Sequence, residues 1–504
     1  MTRPLRFIAG LSAGAVLLAA PVAADTLGDA LLKAYRTSPT LTAAQAAQRA
    51  TDEGVPIARA AGLPSVGVNG GYVQNAFGTS NSLASPERQA TGQTALTIPV
   101  YTGGLVRSTV LAAQTRVEAG QIGLRSTEST LFTAVVAAYM DAIRDEAIVG
   151  LNQQNVHVLD VNLQATRDRF QVGDLTRTDV AQSEARLSLA RAQFQSVQAN
   201  LIASRENYIR VVGSPPGALQ PPPLLPRLPD TPDAAVEVAL KQNPTLLAFQ
   251  KQRDATAFDV DAARQRRLPR VSAVFGGNYY NYLGSLGVGT GVRVGQDALS
   301  GTIGATVNLP IFSGGAVSAG IRQAQAQRTA AVEQATDAER GVIATTRAAY
   351  AVWRSSEQVI QSAQQAVNAN KLSLEGVRAE NSVGSRTILD ILNAEQELLN
   401  SQVTLVTAQR DAYVAGFALL AAMGQAQAGD LGLGGGPLYD PVAHYLSVRR
   451  RVFGVGDDTD RVTATSTAST PAQNAELTKP LDPALDTPVD SNPHLTTGEH
   501  APGR

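Results

Sequence analysis

The chain has 504 residues, a formal net charge of −1, 17% charged residues, four histidines and no cysteine. The balanced charge leaves no footprint for nucleic acid, and the missing cysteines exclude disulfides, thiolate catalysis and cysteine-held metal. Three histidines (His444, His494, His500) lie near the C-terminus and only His157 falls in a helical run. With no metal-spaced histidines and no phosphate loop, the sequence offers no catalytic constellation, no metal site and no cofactor site.

Taken in order, the chain opens with Arg3 and Arg6, a mostly apolar run over 7–20, and the small-residue stretch Val22-Ala23-Ala24. This pattern predicts a secretory signal over 1–24, with the mature chain starting at Asp25. The apolar run is too short to span a bilayer. No lipid-anchor cysteine follows it, and no later stretch of 18 apolar residues occurs. An exported chain of this kind can enter a membrane only as a β-barrel.

The rest reads as a tandem repeat. Ser38-Pro39-Thr40-Leu41 recurs as Asn243-Pro244-Thr245-Leu246, and Leu63-Pro64 as Leu268-Pro269, both at an offset of 205 (243 − 38; 268 − 63). Pro99-Val100-Tyr101-Thr102-Gly103-Gly104 recurs as Pro310-Ile311-Phe312-Ser313-Gly314-Gly315, and Val172-Gly173 as Val383-Gly384, both at 211. The repeats are 25–215 and 216–425. Each predicts a short helix (27–37; 233–242), then a helix with proline in its first turn (39–61; 244–266), where the missing N–H costs nothing.

Two strands follow in each repeat. In Thr302-Ile303-Gly304-Ala305-Thr306-Val307 and in Thr94-Ala95-Leu96-Thr97-Ile98, apolar residues alternate with polar ones or glycine, as a lipid-facing barrel strand requires. Tyr72, Tyr101, Tyr279, Tyr280 and Tyr282 lie where an interfacial girdle would stand. The stretches 78–90 and 283–300 read as loops. After each Gly-Gly comes a proline-free helical run (105–171; 316–382), roughly 100 Å long at 1.5 Å per residue. Leu151, Val158 and Ala165 recur at seven-residue spacing, as coiled-coil packing asks. A glycine turn then starts a return helix (177–212; 388–423).

The lengths fix the arrangement. A return helix and a proline-started helix stacked end to end nearly match one long helix, so each repeat supplies two strands and two rod-length rails. The short helices, the proline-rich link 213–232 and the start of 426–504 form a belt around the middle. Beyond Asp457 the composition (Thr, Ser, Pro, Ala, Asp) predicts a disordered tail. Four strands cannot close a barrel, which needs at least about eight, and open edges are not tolerated in lipid. The chain must therefore oligomerise.

These features resemble the TolC family of bacterial outer-membrane efflux channels, over nearly all of 25–425. The likeness rests on the Ser-Pro or Asn-Pro helix start, Leu-Pro before the strand, Gly-Gly after the second strand and the paired Val-Gly turns. It is most specific in Val383-Gly384-Ser385-Arg386-Thr387-Ile388-Leu389-Asp390-Ile391-Leu392. The resemblance implies an α+β membrane protein: a homotrimer with a twelve-stranded outer-membrane β-barrel continued by a long α-helical barrel with a mixed equatorial belt. It implies a passive exit duct for efflux or type I secretion, set in outer-membrane lipid with its helices in the periplasm. The partners implied are a periplasmic adaptor and an inner-membrane efflux pump or ABC transporter. An exported coiled-coil adhesin or structural rod would explain the long helices but not the alternating strands or the matched lengths.

The same resemblance assigns the turn residues. Asp390 matches a carboxylate at the narrowest point of the pore; the Thr-x-x-acid pattern also makes it a helix-capping residue. Asn393 matches a second pore aspartate, here an amide. Arg386 matches a latch arginine whose partners on the neighbouring hairpin match Thr178 and Asp179. Asn381 matches a tyrosine that helps hold the closed state. Val172, Gly173, Val383, Gly384 and Ser385 form the tips on which an adaptor would dock. One acidic ring instead of two, and a weaker latch, are the expectation.

Overall fold

A computed structural model describes residues 25–77, 86–288, 291, 293–433, 438–452 and 470–485; the expected signal over 1–24 lies outside them. Two 67-residue helices, α4 (Leu105–Gln171) and α8 (Ala316–Ser382), form the frame, each entered from a Gly-Gly turn whose second glycine has φ of 84° or 83°. Their return helices α5 (Arg177–Val212) and α9 (Ile388–Met423) have 36 residues each. The helices lie side by side in the order α5, α4, α9, α8. Nearer the sheet, α2 (Pro39–Asp52) and α3 (Gly54–Ala60) pack on α4 above α5, and α7 (Pro244–Gln265) lies between α4 and α8 above α9. The end-to-end stacking inferred from the lengths is what the chain adopts.

One expected helix is divided. The run predicted over 39–61 breaks at Glu53, because Pro56 has no N–H and its ring crowds the carbonyl of residue 52. Its counterpart α7 has no internal proline and runs unbroken. Of the heptad positions, Leu151 and Val158 are buried, whereas Ala165 is half-buried and Thr166 takes the inward place.

The strands β1 (Ser65–Gln74), β2 (Arg88–Tyr101), β3 (Arg270–Asn281) and β4 (Asp297–Asn308) form one antiparallel sheet in that order. β2 and β4 begin inside the stretches expected to be loops, at Arg88 and Asp297, because pairing with Gln74 and Asn281 extends both hairpins.

The belt gathers around the middle of α4. Helix α1 (Leu27–Thr37) and helix α6 (Pro232–Gln242) join the ends of α5 and α9 there. Its core holds Phe132, Tyr139, Tyr208, Phe417, Leu420 and Met423, all 2% exposed or less. Tyr139 donates its hydroxyl to the Gln220 carbonyl at 2.6 Å, tying in the proline-rich link. Residues after 425 contribute Ala426 and Ala428 to this core, and a helix not foreseen, α10 (Pro441–Val448), sets His444 Nδ1 3.0 Å from the buried Asp52 carboxylate.

The expectation of a disordered tail fails over 470–485. That segment lies along α4, seated by Leu477, Leu481 and Leu485. Its polar composition hid three leucines at four-residue intervals, enough apolar surface to dock on an existing seam.

Candidate functional site: the sheet, the groove and the two turns

The sheet registers put the apolar residues on one face. Across the four strands Val66 pairs with Leu96, Leu96 with Phe275, and Phe275 with Ile303. The neighbouring rows, such as Gly67, Ala95, Gly276 and Thr302, face the other way and hold small or polar side chains. On the apolar face Val66, Val68, Leu299, Ile303 and Val307 are between 67% and 83% exposed. A water-soluble sheet would bury such a row; this one presents it outward, as lipid contact demands. A bulge after Pro99 returns Tyr101 to the apolar face opposite Val271. Tyr72 and Tyr279 stand at the loop ends of the band, and Tyr101 and Phe312 at the helix ends, all well exposed. From Tyr279 to Val271 is eight residues (279 − 271), roughly 27 Å along a strand, close to the height of an outer-membrane apolar band. Among the described residues the edges β1 and β4 are unpaired, and the outermost helices α5 and α8 are the rails on the same two sides.

Below the belt, α5, α4 and α9 enclose an elongated groove of about 760 Å³. Its lining is mixed: the amides of Asn152, Asn155, Gln193, Asn200, Gln396 and Asn400 alternate with apolar side chains such as Ile148, Leu189 and Val403, and Asp145 and Arg186 add one charge of each sign. The amides both accept from and donate to water, which suits a wetted surface.

Both turns fold alike. Gly173 and Gly384 adopt φ of 85° and 79°, a left-handed conformation that side chains resist. Asp174 N–H reaches back to the Arg169 carbonyl (2.9 Å), and Ser385 N–H to that of Glu380 (3.0 Å). Thr176 and Thr387 then cap α5 and α9, each in a reciprocal box with Asp179 or Asp390. The side-chain charges differ. Arg169 pairs with Asp174 in the first turn (2.7 Å), whereas Arg386 pairs with Glu380 in the second (2.7 Å).

Each predicted residue can now be placed. Asp390 Oδ2 accepts from the Thr387 N–H (2.9 Å) and hydroxyl (2.8 Å), so capping is one of its roles. These two bonds, helped by the Arg386 charge, hold its carboxyl below the ordinary carboxylate range. Asn393 accepts from Arg186 of α5 at 2.8 Å, a link across the groove that pattern reading missed. Asn381 donates to the Arg386 carbonyl (2.7 Å), bracing its own turn. Within one chain Arg386 is engaged by Glu380, and Asp179 caps α5; the two are not brought together. Thr178 faces solvent at the start of α5 and Asp179 beside it is half-buried; Val172, Gly173, Val383, Gly384 and Ser385 in the turns face solvent, with Val172 80% and Val383 79% exposed.

A second polar node lies just above the turns. Glu395, 6% exposed, accepts from Arg378 of α8 at 2.8 Å and from the Asn162 amide of α4 at 3.4 Å. It joins the two helical hairpins, α4–α5 and α8–α9. Nothing in the sequence spacing between 162 and 395 points to it.

Comparison with known proteins agrees with this geometry. The family model for outer membrane efflux proteins matches residues 31–214 and 235–425, which are the two repeats. The chain is 32% identical to the outer membrane efflux protein BepC of Brucella suis over 447 residues, covering 88% of this chain and 95% of that one. It is 27% identical to the outer membrane protein TolC of Escherichia coli, covering 81% and 84%. In fold it resembles the crystal structure of the outer membrane protein VceC from Vibrio cholerae, with a TM-score of 0.67 and 22% identity over 79% of this chain and 96% of that one.

Proposed function

The chain belongs to the outer membrane efflux protein family, and from that premise we propose how copies of it assemble and close. It is an outer-membrane channel of the TolC family, an exit duct for efflux or type I secretion. Three copies pair β4 of one with β1 of the next, closing twelve strands from four per chain, and α8 meets α5 of the next copy in the same way. The observation that carries this reading is the outward apolar band on a sheet with two bare edges, continuous with rails that are bare on the same sides. Unpaired strand edges in hydrocarbon leave backbone groups unsatisfied at several kcal/mol each, roughly, so closure is compulsory.

The groove then faces the lumen, and the turns form its periplasmic mouth. Asp390 contributes one carboxylate per copy to a ring that attracts cations, with Asn393 and Arg186 just inside it. Arg386 exchanges Glu380 for Thr178 and Asp179 of the next hairpin, a directional bond that can be broken. A periplasmic adaptor docks on the exposed Val172, Gly173, Val383, Gly384 and Ser385, and an inner-membrane pump or ABC transporter supplies the energy. Single-channel recording in a planar bilayer tests the reading. Asp390→Ala should weaken divalent-cation block and cation preference, and Arg386→Ser should raise conductance. A monomer with no conductance, or unchanged behaviour in both variants, would overturn it.

A further inference from the structure

The segment 470–485 is held by groups that the channel reading does not use. Arg205 of α5, 5% exposed, donates to the carbonyls of Asn474 (2.6 Å) and Glu476 (2.8 Å). Glu146 of α4, also 5% exposed, accepts from both the N–H and the hydroxyl of Thr478 at 2.6 Å. The two charges are 3.8 Å apart. Unlike a self-contained buried ion pair, they spend their hydrogen-bonding capacity on another segment's backbone. Without that segment both groups would lose these partners and take water in their place, so the segment's main-chain and hydroxyl groups substitute for solvent on an otherwise apolar seam.

The apolar contacts follow the same line. Ala475 and Leu477 pack on Val149, Val197 and Leu201, between α4 and α5. Leu481 and Leu485 pack on Leu151, Leu399 and Val406, between α4 and α9. A side chain at Gly150 would crowd Leu481, whose Cδ1 lies 3.1 Å from where its Cβ would stand, so the glycine makes room for the leucine. Gln402 of α9 donates to the Leu485 carbonyl at 2.9 Å. Pro480 and Pro483 restrict the backbone between these anchors. On α4 the seat uses residues 146 and 150, the side opposite 148, 152 and 155, which line the groove; at roughly 100° per residue these are different faces.

We infer that this outer face of α4 is a peptide-binding site whose ligand is the chain's own segment 474–485. Main-chain groups are read by Arg205 and Glu146, and Leu477, Leu481 and Leu485 fill successive seats. The bound segment begins on the hairpin α4–α5 and ends on the hairpin α8–α9. It is therefore a clasp between the two, and the hairpins separate only when it lets go. The clasp rests on the channel reading above; the binding site does not.

The test uses the full-length protein. By hydrogen exchange, amides of 474–485 in the wild type should exchange at least about tenfold more slowly than in a synthetic peptide of residues 470–487. The double variant Leu477→Asp, Leu481→Asp should lose that protection while keeping the oligomeric state of the wild type. The labelled wild-type peptide should then bind the variant, with its site vacated, and not the wild type. A peptide carrying the same two substitutions should bind neither. Free-peptide exchange rates in the wild type, or equal binding of the peptide to both proteins, would overturn the site. For the clasp, the cysteine-free background allows Gly150→Cys and Leu481→Cys, whose Cβ atoms would stand 3.6 Å apart, to be combined and oxidised. Oxidation should lower the open probability gained by Arg386→Ser, reversibly with reductant. Unchanged opening in protein shown to be cross-linked would overturn the clasp while leaving the site. Absence of conductance in every protein, with exchange and binding as expected, would instead refute the channel reading.

Discussion

Replacing Arg378 by alanine tests whether the node above the turns holds the hairpins together. Arg378 donates to Glu395 at 2.8 Å, and the side chains are 24% and 6% exposed. After the substitution the Glu395 carboxylate keeps only the Asn162 amide at 3.4 Å. Breaking a fully buried pair costs roughly 3–5 kcal/mol. Because Arg378 touches solvent, and water can enter where it leaves, the expected cost here is about 2–3 kcal/mol. If that cost falls on the local opening of α8 from α9, exchange of the amides near Leu374 and Leu398 should speed up by about 30- to 140-fold, taking 1.4 kcal/mol per decade. Amides in the belt, near Tyr139, should be unaffected. The decisive companion is Arg378→Met with Glu395→Leu, which removes both charges and keeps the volume. Replacing a whole buried pair is often neutral or stabilising, so the double variant should recover most of the lost protection. The reasoning fails if Arg378→Ala changes local exchange less than about threefold, or if the double variant is as open as the single one.

Three further outcomes follow from the packing. Tyr139→Phe leaves the Gln220 carbonyl without its 2.6 Å donor, while the Asp25 carbonyl keeps the Gln220 N–H; the cost should be about 1–2 kcal/mol, read as faster proteolysis of the link 213–231. Gly384→Ala and Gly424→Ala meet the same left-handed backbone (φ 79° at both), but only at Gly424 would the new Cβ overlap the Gln242 carbonyl. Gly384→Ala should cost about 1–2 kcal/mol and Gly424→Ala clearly more, and equal losses in thermal unfolding would contradict this. Glu128 is largely buried against the Ala428 N–H, and burial raises its carboxyl above the ordinary 4.5. Its stabilising contribution is therefore full below pH 4.5 and is lost as pH rises through the folded value. Glu128→Gln keeps an acceptor and has no charge, so it should resist unfolding better than wild type at neutral pH and lose that advantage below pH 4.5. An advantage independent of pH would refute the assignment.

Much of the frame could be read from local signals. The bounds of α4, α5, α8 and α9 follow from Gly-Gly turns, capping threonines and the absence of proline, all of which act within a few residues. The strand faces were legible because alternation is a property of neighbours. The Arg186–Asn393 and Arg378–Glu395–Asn162 contacts were not, because they depend on which helix lies beside which. The seat of 470–485 was hidden for a related reason: its leucines mean little until a trench with Arg205 and Glu146 exists to receive them. Pro56 divides the helix at Glu53 even though the matched rail lengths ask only for a continuous stack, because a short break leaves the two pieces end to end.

The two turns share a backbone yet carry reversed charges, Arg169 with Asp174 in one and Glu380 with Arg386 in the other. In a three-copy tube this means the mouth is not sixfold but an alternation of two kinds of leaf. Duplication supplied leaves of matching length, so they meet in one plane. Divergence then gave the two leaves different charge orders, and each turn neutralises its charges with a pair of its own.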